Sequence, residues 1–219
     1  RAVYLKAAAR AVRAKSFFIL DGFVTSHFDI LNREVQLYQV LCAWEPDLSR
    51  RFAMQKRRLT LLQGPVSELN EKAYAQIVRQ GLFDISTISA EMLEIKSQLH
   101  ADDPPARRHK RLQPHVTAVV DAYGEFLKRF EKDGKPPDRA EEESESAYLT
   151  AQFHIARAYG KLEDVASLTA SLRAYEGMHG YLVRNKVVGM ESEASVCKEM
   201  ADLLPRKIAE RNAIERSGR

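Results

Sequence analysis

Apolar residues recur every three or four positions through most of the chain, the spacing of helices that each bury one face. The longest stripe runs Tyr74, Ile77, Gly81, Ile85, Ile88, Met92, Ile95 and Leu99. It predicts a single helix of roughly 30 residues, about 45 Å long at the rise of an α-helix, with Asn70 available as its N-cap. The same pattern returns in Val24, Phe28, Leu31, Val35, Tyr38 and Cys42, and again in Val116, Val120, Tyr123, Leu127 and Phe130. Leu168, Leu172, Tyr175, His179 and Leu182 form a further stripe, and Met190, Ala194, Cys197, Ala201, Leu204 and Ile208 the last. No stretch alternates apolar and polar residues between turn signals, so no sheet is expected.

The stripes are separated by residues that stop helices: Gly22, Glu45-Pro46, Gly64-Pro65, Asp102 to Pro105, Asp133 to Pro137, and Gly189. They divide the chain into about eight helices, with Gly64 and Pro65 read as a helix end followed by its stop. The "ARRHKR" run, residues 106 to 111, follows Pro104-Pro105 and reads as a basic loop. "EKDGKPPDRAEEESES", residues 131 to 146, reads as a longer flexible loop, its acidic end included. Short turns elsewhere force successive helices to pack antiparallel. The expected fold is therefore all-α, stacked antiparallel helical hairpins in a tetratricopeptide-like α-solenoid. Ile155, Ala156 and Tyr159 show the large, small, aromatic spacing of that repeat's first helix, the small residue letting two helices approach. Leu168 stands where a second small residue belongs and no strict period runs through the chain, so a generic helical bundle remains the competing reading.

Composition narrows function mostly by exclusion. The 219 residues are 45% hydrophobic and 29% charged, a globular balance, and the formal net charge of +4 comes from interspersed signs. Arg50, Arg51, Lys56, Arg57 and Arg58 are threaded among Leu48, Phe52, Leu59 and Leu62, which share one helical face. The basic residues then read as the solvated remainder of that helix, with phosphate or acidic-protein contact as the other option. No aromatic platform accompanies either basic run, which disfavours single-stranded nucleic acid. The six histidines show no metal-ligand spacing, and neither a phosphate-cradling glycine loop nor a nucleophile motif occurs, so no enzyme, metal or cofactor is expected. Cys42 and Cys197 read as buried thiols of a reducing compartment. No apolar run approaches the roughly 20 residues of a membrane span.

Several strings carry a family resemblance: "LDGFVTSHFDIL" (Leu20 to Leu31), "RRFAMQKRRLTLL" (Arg50 to Leu62), "AQFHIARAYGKL" (Ala151 to Leu162), "SLRAYEGMHGYLVRN" (Ser171 to Asn185) and "CKEMADLLPRKIAER" (Cys197 to Arg211). In this order they resemble the C-terminal half of the kinesin-binding protein (KIF-binding protein) family, from about Ala14 to the chain end. The resemblance implies that residues 1–219 are the C-terminal helical-hairpin domain of a longer chain, in keeping with a start at Arg1 rather than Met. It implies a cytoplasmic, cytoskeleton-associated, non-catalytic protein that binds kinesin motor domains and blocks their attachment to microtubules. A generic helical scaffold in a microtubule or ciliary assembly, contacting other cytoskeletal proteins, is the alternative. A motor surface that holds an acidic track must be basic, so an inhibitor covering it should offer acids and hydrogen-bonding groups from turns between helices. Glu68, Asn70, Glu71 and Tyr74 are the candidates. The same residues also suit an ordinary N-cap with acids near a helix start.

Overall fold

The computed structural model describes residues 2–217. Its eight helices are α1 (Ala2–Phe17), α2 (Val24–Trp44), α3 (Leu48–Glu68), α4 (Ala75–Leu99), α5 (Pro105–Lys128), α6 (Glu142–Tyr159), α7 (Val165–Asn185) and α8 (Glu191–Ser217). Among the described residues the sole β-pairing is an isolated bridge between Lys132 and Lys135. The all-α expectation stands. The chain divides into two compact units, Arg1–Ile95 and Lys96–Arg219. Within the first, α1 packs on α2 and α2 on α3; within the second, α5, α6, α7 and α8 pack in succession, the order of stacked hairpins.

The core of the first unit follows the predicted stripes. Phe28, Leu31 and Val35 of α2 close on Leu62 and Val66 of α3 and on Ile88 and Met92 of α4. Gly81 is buried, and a Cβ there would overlap the side chain of Val66, so its lack of a side chain lets α3 and α4 approach closely. Two expectations fail here. Gly64-Pro65 does not end α3, which continues to Glu68. Proline at 65 removes one helical bond, to the Leu61 carbonyl, but Leu62 and Val66 on either side are buried, and that packing outweighs one lost bond. Arg58 does not belong to the solvated face: it is 4% exposed, and its guanidinium donates to Gln55 Oε1 at 2.6 Å and to Glu91 Oε2 at 2.7 Å. Gln55 also donates to Glu91, at 2.7 Å, which closes the triangle. Arg50, Lys56 and Arg57 are exposed, as the helix periodicity expects.

In the second unit the basic run 106–111 is helical, not a loop. Pro105 occupies the first turn of α5, where its missing N–H costs nothing and its fixed φ favours the helix. Likewise α6 begins at Glu142, inside the stretch read as a loop. Glu145 is buried and takes the Arg139 guanidinium at 3.1 Å and the Tyr181 hydroxyl at 2.9 Å. That hydroxyl in turn accepts the Ala140 amide at 2.8 Å, so the connection from α5 is pinned to α7. The repeat-like spacing in α6 works as expected of a small residue. Ala156 is fully buried, and Ser171 Oγ of α7 donates to its carbonyl at 2.8 Å, a bond only close-packed helices make. Both cysteines are buried free thiols, and burial pushes Cys197 up to about 11.

His154 stacks on Tyr123, ring centroids 5.3 Å apart and planes within 2°. Burial, helped by the charge of Arg157, holds its imidazole below the ordinary histidine value. Burial does the same to His115, with Lys96 and His100 adding to it. The folded protein therefore keeps both neutral where the unfolded chain, with an ordinary pKa of about 6.5, takes up protons. Stability from these groups is complete above that value and declines as pH falls through it toward the depressed folded values. The midpoint of thermal unfolding is expected to drop between about pH 7.5 and pH 5.5, and His154→Gln should flatten that slope. A slope unchanged by the substitution would show that His154 does not contribute.

Candidate partner-binding site

Glu68 is the last residue of α3, and Asn70, Glu71 and Tyr74 follow in the connection to α4. The turn is built by Asn70. Its backbone carbonyl accepts the amides of Ala73 (3.1 Å) and Tyr74 (3.0 Å), and its side-chain oxygen accepts the amide of Lys72 at 3.0 Å. Bonding two residues ahead makes this an Asx-turn that precedes the helix. Asn70 is therefore not the N-cap of α4, which starts at Ala75. Tyr74 links the turn to that helix, its carbonyl accepting the Val78 amide at 3.0 Å.

The four candidates thus share one turn of seven residues, Glu68 to Tyr74. Glu68, Asn70 and Glu71 are exposed, and Tyr74 is half-buried. Chemically the turn offers two carboxylates, an amide and a phenol, with Lys72 exposed between them. That set can meet a basic, hydrogen-bonding surface; nothing in it transfers a group or activates a nucleophile. Among the described residues no group of three His, Cys, Asp or Glu side chains could hold a metal ion. No helix among the described residues is long and apolar enough to cross a membrane.

A second surface feature escaped the reading by stripes. Phe17, Phe18 and Phe23 form an aromatic cluster around the α1–α2 connection, with centroids 4.9 to 6.1 Å apart. Phe17 is 69% exposed and Phe23 46%, with Ile19 beside them at 50%. Exposed apolar clusters of this kind mark contact surfaces. The sequence signal was the run "SFFILDGF", which lies outside the stripe that begins at Val24.

Comparisons with known proteins point to one family. The family described as KIF-1 binding protein C terminal matches residues 1–210. Among curated relatives, the KIF-binding protein of Danio rerio is 31% identical over 95% of this chain and 35% of its own length. The KIF-binding protein of Gallus gallus is 30% identical over 95% of the chain and 37% of its own length, and that of Homo sapiens 29% over 95% and 35%. The chain spans about a third of the length of these relatives. No solved structure matches.

Proposed function

Because this chain belongs to the KIF-1 binding protein C-terminal family, we propose that it is part of a non-catalytic protein that binds kinesin motor domains and blocks their attachment to microtubules. The observation that carries this reading is the family match along residues 1–210, joined to relatives whose name states what they bind. The fold supplies a physical basis. Packed hairpins hold their connecting turns at fixed positions, and turns so held can present charge to a partner without a large ordering cost. We place a motor contact at the α3–α4 turn, where Glu68 and Glu71 would face the basic groups a motor uses to grip an acidic track. Microtubules, acidic themselves, would repel the same turn, so sequestration rather than bridging follows from the charges.

Co-sedimentation tests the reading. The whole protein should reduce the fraction of motor domain that pellets with microtubules, for at least one member of a panel of kinesins. Reversing Glu68 and Glu71 to lysine should weaken motor capture by roughly 3- to 10-fold, mainly through slower association, as rim charges do. Arg57→Ala, on the exposed side of α3, should leave capture unchanged. A double reversal that captures motors as well as the parent removes the turn from the contact. A parent that leaves every motor on its track removes the function.

A further inference from the structure

In the second unit, the start of α5, the α6–α7 connection and the C-terminal part of α8 enclose a cleft of about 440 Å³. Arg108 and His109 enter from α5, Lys161 and Asp164 from the connection, and Arg211 from α8. The charges are unevenly committed. Asp164 is in use: one oxygen accepts the Ser167 amide at 2.9 Å as the cap of α7, and the other lies 3.6 Å from His109 Nδ1. Burial opposes its ionisation, yet the bonds from Ser167 and the nearby His109 hold its carboxyl below the ordinary value. Arg108 and Arg211 are both half-buried, and neither guanidinium has a hydrogen bond or ion pair among the described residues. Arg108 Nε is fully buried with no acceptor. Two guanidinium groups thus converge from different helices on one cleft with donors that no protein group takes, and the buried Arg108 Nε–H is costly to leave without an acceptor. Glu163 at the rim and the carboxylate of Asp164 both oppose an anion, but Glu163 is exposed and screened, and Asp164 is engaged by Ser167 and lies beside His109, leaving three basic side chains, Arg108, Lys161 and Arg211, against them.

We propose that this cleft binds the phosphate of a phosphorylated side chain on a partner protein. Donors from two helices, with Lys161 beside them, surround a tetrahedral dianion, whereas a planar carboxylate is served by a single guanidinium fork. The cleft is far larger than a free phosphate ion, and Pro105 and Ala106 give it an apolar wall for the residues flanking the phosphate. The site is separate from the α3–α4 turn and stands or falls independently of motor binding.

The test is titration of the protein with a seven-residue Gly/Ala peptide carrying a central phosphoserine, and with its serine and glutamate counterparts and inorganic phosphate. Binding is read from the arginine Nε–H resonances and by calorimetry. The phosphoserine peptide should bind saturably and at least tenfold more tightly than either counterpart or free phosphate. R108A with R211A should weaken it at least tenfold; R107A with K110A, exposed positions on the same helix, should change it less than twofold. If the alanine pair loses helicity, R108Q with R211Q carries the same test. The proposal is overturned if both pairs lose affinity equally, because the attraction is then diffuse. It is equally overturned if no saturable binding occurs, if glutamate binds as well as phosphoserine, or if free phosphate binds more tightly than the peptide.

Discussion

Arg58→Ala should lower the unfolding free energy by about 2–4 kcal/mol in a urea titration with unchanged m, whereas its neighbour Arg57→Ala should cost under about 0.5 kcal/mol. The two side chains are consecutive and identical, so only their surroundings separate them. Arg58 lies with Leu62 and Val66 on the buried face of α3, and removing it leaves a cavity as well as an unpaired carboxylate. Breaking a fully buried pair costs about 3–5 kcal/mol. Glu91 is 35% exposed at its side chain, so water takes over part of what Arg58 supplied and the expected loss falls somewhat lower. Arg58→Met keeps the stem volume and should recover part of the loss, leaving the polar remainder near Gln55 and Glu91. Equal effects of Arg57→Ala and Arg58→Ala would show that the triangle of Gln55, Arg58 and Glu91 contributes no stability.

That contrast marks how far the sequence was legible. The α2 stripe was readable because residue type and period agreed: Phe28, Leu31 and Val35 fall three and four apart, Cys42 follows two turns on, and all are apolar and buried. At Arg58 the two signals disagreed. Positions 55, 58, 62 and 66 keep the helical spacing, but a guanidinium among them looks like surface until its acid is found. The acid is Glu91, 33 residues away on α4, and no local pattern locates it. Proline was overread for a related reason. Pro65 sits inside α3 and Pro105 opens α5, since one lost bond or a first-turn position is compatible with a helix that packing holds. The acidic run that opens α6 was read from composition as loop, yet Glu145 within it is buried against Arg139 and Tyr181, partners that only the tertiary fold supplies. Of the candidate site, the place between two stripes was legible. The Asx-turn that shapes it was not, because Asn70 serves equally well as a helix cap or a turn residue until the following backbone is known.

Tyr148→Ala in α6 should destabilise the protein by about 3–5 kcal/mol, and Tyr148→Phe by only about 1 kcal/mol. Tyr148 is 3% exposed and forms the middle of a run of rings through the second unit. Phe126 and Phe130 stand 5.2 Å apart, Phe130 and Tyr148 5.2 Å, and Tyr148 and Tyr181 5.7 Å, in tilted or edge-on orientations that suit aromatic quadrupoles. The run ties α5 to α6 and α6 to α7, and it ends on the Tyr181 hydroxyl that holds Ala140 and Glu145. Removing the middle ring opens a cavity flanked by two large side chains that cannot both collapse into it, which places the loss at the upper end for a core truncation. Removing only the hydroxyl keeps the ring contacts and forfeits no more than the polar influence of Gln152 beside it. Burial holds the Tyr148 phenol above its ordinary value, so its proton is retained across the range in which stability is measured. Urea titration of both variants separates the two contributions. A Tyr148→Ala loss no larger than that of Tyr148→Phe would mean that the rings around it repack freely and the run is not a structural tie.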